Sequence, residues 1–223
     1  MTEETLAISV AAELSGRVRL GILVLEGLVV HEADEGLAAE IESHAGELRA
    51  RYGSLKSSEV PGTQDGRALY KALGIDPTKT RPSNEALLRR VLKGESLYRV
   101  NTLVDALNLC SLRSQLPFGL YDLDRIAPPV ELRRGRPGES YEGIRKGVVN
   151  VEGRPTLADT QGAFGNPTSD SARTCITLSA TRALVTAYAP AGFATSRLLT
   201  VLGETGATLM RFCGGRALEE RIP

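Results

Sequence analysis

Apolar and polar residues follow regular periods in the first half of the chain. Residues 17–24 alternate arginine or glycine with valine, leucine or isoleucine, which predicts a half-buried strand. Helical spacing predicts three helices after it, each ending before a glycine. They are a helix from Asp34, its N-cap, to Tyr52, one over 64–73, and one over 84–93 that follows Pro82-Ser83 and precedes Gly94.

A fourth helix is predicted over residues 97–109, where apolar positions recur at helical spacing and a polar stripe runs along the helix. Asn101, Asp105 and Asn108 form this stripe at positions i, i+4 and i+7. The stripe can be a solvated face. Two amides and a carboxylate without a lysine are unusual in plain solvent, however, and when buried they need a partner from the backbone or from a ligand.

Beyond Pro117 the pattern changes to short β-like runs separated by turn residues. The predicted strands cover 118–121, 130–132, 147–151, 155–158, 174–178 and 183–188, and a closing helix covers 196–212. No linker divides the chain. We therefore expect one α+β domain over residues 1–223, with a mixed or antiparallel sheet flanked by helices.

The segment from Gly162 to Thr174 combines glycine, proline and short polar side chains directly before an apolar run. Gly162 and Gly165 allow positive φ and close approach, and Pro167 stiffens the turn after them. The hydroxyl, amide and carboxylate groups that follow are those of residues 166 and 168–171. Such a loop can hold a small polar ligand, or it can be an ordinary connection between strands.

Composition narrows the class of protein. The 223 residues are 42% hydrophobic and 24% charged, as in a soluble globular protein, and the net charge of zero gives no global basic field for nucleic acid. Three separated cysteines without metal-ligand spacing favour a reducing cytoplasm and no metal site. The longest apolar run, residues 21–30, contains Glu26 and is too short to cross a bilayer. His31 and His44 are expected to be surface or packing residues.

Five ordered motifs resemble the free-standing B3/B4-domain proteins, which are similar to the editing domain of the phenylalanyl-tRNA synthetase β subunit. The resemblance covers about residues 15–212. The motifs are ALGIDPTKTRPSNEAL (72–87), VNTLVDALN (100–108), LPFGLYDLD (116–124), GESYEGI (138–144) and GAFGNPTS (162–169). The resemblance implies an α+β domain of the B3/B4 fold, whose pocket accepts the 3′ end of a mischarged tRNA and hydrolyses its ester. An aminoacyl ester is already activated, so such a site needs positioning rather than a nucleophile, a metal or a cofactor.

The resemblance also implies roles for individual residues. It assigns catalysis to Asn101, Asp105, Asn166 and Thr168, which would face one pocket. It assigns substrate binding to Asn108, Gly162, Phe164, Gly165, Ser169, Arg173 and Ser179. In the synthetase a glutamate that reads the tyrosine hydroxyl stands where this chain has Ser179, so tyrosine is in doubt as the rejected amino acid. Arg173 can instead be tied to backbone carbonyls.

Two groups of cations can meet tRNA phosphates, although each can also be a solvated face. The group assigned to RNA binding is Lys79, Arg81, Arg89 and Arg90, with Lys93 nearby; the other lies around a predicted hairpin and includes Arg133, Arg134, Arg136, Arg145 and Lys146.

The sequence thus predicts a cytoplasmic trans-editing hydrolase that deacylates a mischarged aminoacyl-tRNA, with the tRNA acceptor end as partner and no DNA, membrane or cofactor. Two alternatives stay open: a non-catalytic module that binds RNA or an amino acid, and an enzyme acting on another small amide or ester.

Overall fold

The longest strands pair along the middle of the molecule and separate two layers. The structure, a computed structural model, describes residues 6–144 and 147–223. Its strands are β1 (Ile8–Val10), β2 (Val18–Glu26), β3 (Phe118–Asp122), β4 (Val130–Arg134), β5 (Ser140–Gly143), β6 (Gly147–Asn150), β7 (Pro155–Asp159), β8 (Gly162–Gly165), β9 (Arg182–Pro190) and β10 (Arg216–Arg221). Its α-helices are α1 (Glu35–Tyr52), α2 (Thr63–Ala72), α3 (Ser83–Leu92), α4 (Thr102–Ser114) and α5 (Thr195–Cys213).

The central sheet has the strand order β10-β2-β9-β3, and all of its strands are antiparallel. Strand β2 is buried along nearly its whole length, which explains why residues 21–30 read as an apolar run rather than as a clean alternation. A second sheet has the order β1-β4-β7-β8, with β1 parallel to β4 and the other pairs antiparallel. Strands β5 and β6 pair separately. The predicted α+β fold with mixed sheets is therefore confirmed.

Each face of the central sheet belongs to a different core. Leu23 of β2 and Val185 of β9 pack in one cluster with Leu103 of α4 and Leu202 of α5. The alternate residues of the same strands pack in a second cluster with α2 and the second sheet, among them Leu20, Ile22, Leu184 and Tyr188. Because successive strand residues point to opposite faces, the sheet lies between α4 and the second sheet.

Two of the five helices begin at the predicted capping residues or beside them. Asp34 caps α1, since its Oδ1 accepts a hydrogen bond from the backbone N of Leu37 at 2.7 Å. At α3 the N-cap position is Pro82, which makes no side-chain capping bond. The glycine after this helix, Gly94, has a φ of 75° and ends it as predicted.

The predicted start of one helix and one predicted strand are wrong. Residues 97–101 are not helical, because Asn101 is extended and caps α4 instead of lying inside it. Residues 174–178 do not form a strand. A short 3₁₀ turn covers 172–174, and irregular chain leads from it to β9.

Within the described residues, no helix is both long and apolar enough to cross a membrane.

Candidate functional site

The loop after β8 closes on itself through Asn166. Its Oδ1 accepts hydrogen bonds from the backbone N of Thr168 and of Ser169, both at 2.8 Å. Its own backbone N donates to the carbonyl of Ser169 at 2.9 Å. This is the asparagine-initiated turn chemistry that keeps a short loop in one conformation. The predicted catalytic amide thus has a structural task in the turn.

Tyr141 of β5 fixes the far end of this loop. Its hydroxyl donates to the carbonyl of Ser169 at 2.6 Å and accepts from Nδ2 of Asn166 at 3.1 Å. Both polar ends of the Asn166 side chain are therefore bonded within the chain. A bound substrate would have to share or displace these bonds.

Tyr70 of α2 connects the loop to the start of α3. Its hydroxyl donates to the carbonyl of Pro167 at 2.8 Å and lies 3.1 Å from Oγ1 of Thr168. The backbone of Ser83, the first residue of α3, lies close enough to this hydroxyl to offset slightly the rise in its pKa that burial causes. The predicted ligand loop and the predicted RNA-binding helix are therefore neighbours, and Thr168 lies half-buried where they meet.

Tyr121 of β3 fills the space that the glycines leave open. A Cβ on Gly165 would overlap the Tyr121 ring, and a Cβ on Gly119 would overlap its hydroxyl. The ring also packs edge-on against Phe164, with centroids 4.9 Å apart. Gly165 thus provides the predicted close approach, but to a side chain of the same chain rather than to a ligand.

A carboxylate, Asp170, lies among four buried tyrosines. Burial first, and the charge of Asp170 second, raise the pKa of Tyr121 and of Tyr141. Burial also raises the pKa of Tyr188 and raises that of Tyr70 to about 12, again with a contribution from Asp170. All four phenols are therefore neutral donors at physiological pH.

A basic cleft lies between the same two helices, α2 and α3, and the segments 53–58 and 77–81. It has a volume of about 530 Å³, within the range of about 300–1,000 Å³ that is usual for ligand sites. Five cations and one carboxylate line it: Lys56, Arg67, Arg81, Arg89, Lys93 and Glu85. This positive concentration, on a chain with no net charge, suits a phosphate-bearing ligand.

Glu85 is the buried centre of the cleft. Its Oε2 accepts from Nη1 of Arg67 at 2.8 Å, and its Oε1 accepts from Nε of Arg81 at 3.4 Å. Oε1 also accepts from Oγ of Ser57 at 3.2 Å. The Glu85 side chain is only 2% exposed, whereas that of Arg81 is 40% exposed, so the arginines lie between the carboxylate and solvent.

The cleft contains half of the residues predicted to bind RNA. Arg81 and Arg89 line it, and Lys79 is exposed in the adjoining turn. Arg90 is not among the lining residues. Its guanidinium lies over the Tyr98 ring at 4.0 Å and pairs with Glu95 at 3.0 Å.

The sequence reasoning missed Lys56 and Arg67, which come from segments outside the predicted cluster. An exposed lysine on a loop and a lone arginine on a short helix carry no sequence signal of their own. In the other basic group, Arg145 and Lys146 lie outside the described residues.

The start of α4 lies on the other face of the central sheet. Asn101 Oδ1 accepts from the backbone N of Val104, and Asp105 Oδ1 accepts from that of Val100, both at 3.0 Å. Burial raises the pKa of Asp105, which lines a separate small cavity of about 100 Å³ beside α1. Asn108 is half-buried.

The structure therefore does not contain the predicted pocket shared by α4 and the loop. The side chains of α4 pack in the core that holds α5, whereas Phe164 and Tyr70 pack in the core on the opposite face. The polar stripe marks helix capping and local backbone bonds. Asn166 and Thr168 lie together, and Asn101 and Asp105 lie apart from them.

The remaining predicted substrate-binding residues have mostly structural contacts. Arg173 makes a bidentate pair with Asp159, at 2.9 and 3.0 Å, and donates to the carbonyl of Arg125 at 3.0 Å. Arg173 is thus held by groups of the same chain, which is the alternative to substrate binding. Ser179 is exposed, with its Oγ 2.9 Å from Oγ1 of Thr177. Gly162 has a φ of 115°, which glycine alone adopts freely.

In the described part of the chain, histidine, cysteine, aspartate and glutamate form no cluster of three that could hold a metal ion.

Fold and site together define an α+β domain that contains a tyrosine-anchored polar loop and a basic cleft, both in contact with α2. The family model described as the B3/4 domain matches residues 66–210, more than half of the chain, and the chain belongs to this family.

Solved structures also match the chain, among them a fragment of a synthetase subunit. An N-terminal fragment of the phenylalanyl-tRNA synthetase β-subunit from Pyrococcus horikoshii is similar, with a TM-score of 0.48 and 14% sequence identity. The match covers 96% of this chain and 50% of the fragment, so the chain spans about half of that protein's length. No curated protein matches the sequence.

Proposed function

We propose that the chain is a trans-editing hydrolase that binds the acceptor end of tRNA and deacylates a mischarged aminoacyl-tRNA in the cytoplasm. The resemblance of its motifs to an editing domain and its membership of the B3/4 family support the reaction class. The observation that carries the proposal is the junction at Tyr70, which ties the polar loop to α2, the helix whose Arg67 lines a cleft with five cations.

RNA would enter through the cleft. Arg81 and Arg89 would contact phosphates of the single-stranded acceptor end, and Arg67 and Lys93 line the same opening. Contacts to phosphate position a nucleic acid without reading its sequence. Selection among mischarged tRNAs would then fall to the attached amino acid.

Hydrolysis would occur at the loop. An aminoacyl ester reacts when a water molecule and the carbonyl are held in register, so hydroxyl and backbone donors are sufficient. Thr168 is the half-buried hydroxyl at the junction, and Tyr70 Oη lies 3.1 Å from it. We assign it the task of orienting the ester or the water. Ser179 is not joined to this loop by any hydrogen bond of the described residues, so a preference for tyrosine has no support here.

The test is a panel of misacylated tRNAs incubated with the pure protein. Turnover of one or two members is expected, and correctly charged tRNAs should be left intact. Thr168→Val removes the hydroxyl at nearly constant shape and should lower turnover by about tenfold to a hundredfold, the loss of one or two transition-state hydrogen bonds. Thr200→Val, which removes an exposed hydroxyl on α5, is the matched control. Equal turnover in both variants would remove Thr168 from the site.

A non-catalytic module for RNA or an amino acid is the second candidate. It is favoured by the Tyr121 ring, which occupies the space between Gly119 and Gly165, and by the two bonded ends of the Asn166 side chain. In that case the protein binds tRNA in the cleft and hydrolyses no member of the panel. Salt-sensitive binding without turnover identifies this outcome.

A further inference from the structure

The cleft contains a carboxylate where a phosphate-binding surface would be expected to have none. Glu85 brings a negative charge to the centre of five cations. By charge alone it weakens the attraction of the cleft for RNA. Its contacts indicate a different effect on binding.

Glu85 holds two arginines at one point. One carboxylate oxygen accepts from Arg67 of α2, and the other accepts from Arg81, which lies just before α3. Ser57 provides a third contact, to the same oxygen as Arg81. A carboxylate this deeply buried is kept in one place by its partners, so the guanidinium groups paired with it lose much of their freedom before any ligand arrives.

Both arginines keep donors for a ligand. Among the described residues, the guanidinium of Arg67 hydrogen-bonds only Glu85, through Nη1, and the guanidinium of Arg81 hydrogen-bonds only Glu85, through Nε. Each guanidinium has five N–H donors, so several remain on each one. Two guanidinium groups paired with one carboxylate can donate to the oxygens of a phosphate group in a fork geometry that lysines do not have.

Resting on the proposed binding of tRNA, we propose that Glu85 is a positioning residue that presents Arg67 and Arg81 as a preformed receptor for one phosphodiester of the acceptor end. Lys56, Arg89 and Lys93 then supply general attraction around this receptor. The carboxylate lowers the net charge of the cleft but removes the entropy cost of ordering two long side chains on binding.

The positioning role and a simple charge effect predict opposite changes in tRNA affinity for Glu85→Gln. The substitution removes one negative charge, so a cleft that works by charge alone would bind tRNA more tightly. If Glu85 positions the arginines, the weaker amide contacts release them, and the affinity for unacylated tRNA falls by about tenfold. This factor corresponds to the loss of one charge-assisted hydrogen bond. Glu204→Gln, the same change at an exposed site on α5, is the matched control and should leave affinity unchanged.

Fluorescence anisotropy with labelled, unacylated tRNA measures these affinities over a series of salt concentrations, and thermal melting checks that each variant is folded. Arg67→Lys is the second variant, because it keeps the charge and loses the fork. We expect it to bind about tenfold more weakly as well. It decides the question if Glu85→Gln does not fold.

The outcomes separate the two proposals. If the wild-type protein does not bind tRNA, the proposed function fails and this inference fails with it. If the wild type binds and Glu85→Gln or Arg67→Lys binds at least as tightly, the positioning role is overturned while the proposed function stands.

Discussion

At the scale of single residues, the sequence around Gly165 predicts a close approach to the backbone correctly but does not predict which group approaches. The Gly162–Gly165 pattern predicts close approach of another group to the backbone. The group that approaches is the Tyr121 ring, which comes from a strand far earlier in the sequence. Periodicity and composition carry no information about such a long-range contact, so a ligand and a side chain cannot be distinguished before the structure is known.

Gly165→Ala tests this packing. A methyl group there would overlap the buried Tyr121 ring, which also packs on Phe164 and has little room to move. We expect the free energy of unfolding, measured with urea, to fall by about 1–3 kcal/mol, as overpacked cores do. Gly192→Ala is the control, since nothing lies within 4 Å of its Cβ position. Equal stability of the two variants would mean that Tyr121 does not fill this space.

At the scale of elements, the polar residues at the start of helix α4 serve helix capping rather than a functional site. Asn101 and Asp105 have the spacing of a functional stripe, but each accepts a backbone hydrogen bond at the first turn. Polar side chains at the start of a helix satisfy backbone donors that have no partner inside the helix. That need alone accounts for their residue types.

Asn101→Ala should therefore reduce the stability of the protein and leave its activity unchanged. Loss of the N-cap is expected to lower the free energy of unfolding by about 1 kcal/mol, because the backbone N of Val104 loses its acceptor. Deacylation or tRNA binding per folded molecule should remain at the wild-type level. Asn101→Asp keeps a capping oxygen and should retain the stability. A large loss of turnover in a well-folded Asn101→Ala protein would return this residue to the catalytic set.

The elements that the sequence predicts well are those with local signals. Helix α1 has its Asp34 cap, and α3 has its glycine end. Strands β1 and β10 lie at sheet edges and are too short or too charged for a clear period. Residues 174–178 have strand-like composition, yet they pair with no neighbouring strand, and pairing depends on tertiary structure. The cations around α3 are predicted from their local clustering in the sequence. Arg67 lies on α2 and comes near them only in the folded protein.

At the scale of the whole molecule, four tyrosines join elements that are distant in sequence. Tyr70 lies on α2, Tyr121 on β3, Tyr141 on β5 and Tyr188 on β9. Their hydroxyls bond the loop or lie close to one another, as those of Tyr121 and Tyr188 do at 3.4 Å. The loop, the central sheet and the helix that leads to the cleft thus depend on one set of neutral phenols.

This arrangement predicts a loss of stability in alkaline solution. The pKa of Tyr70 is about 12 in the folded protein against 10.0 for a free tyrosine, and burial raises the pKa values of the other three as well. A raised pKa contributes stability that is fully present below pH 10, where both states are protonated. It is lost as the pH rises from 10 to the folded-state pKa, because only the unfolded state releases the proton.

Urea unfolding at pH 9, 10, 11 and 12 measures this loss. Each buried phenol should remove up to about 1.4 kcal/mol per pH unit from the free energy of unfolding above pH 10. Tyr70→Phe removes one of them and should make the decline shallower, although it also loses the bond to Pro167 and starts from a lower stability. Full recovery on return to pH 8 distinguishes titration from chemical damage. A free energy of unfolding that stays constant from pH 9 to 12 would contradict the buried, neutral state of these tyrosines and the loop anchoring that depends on it.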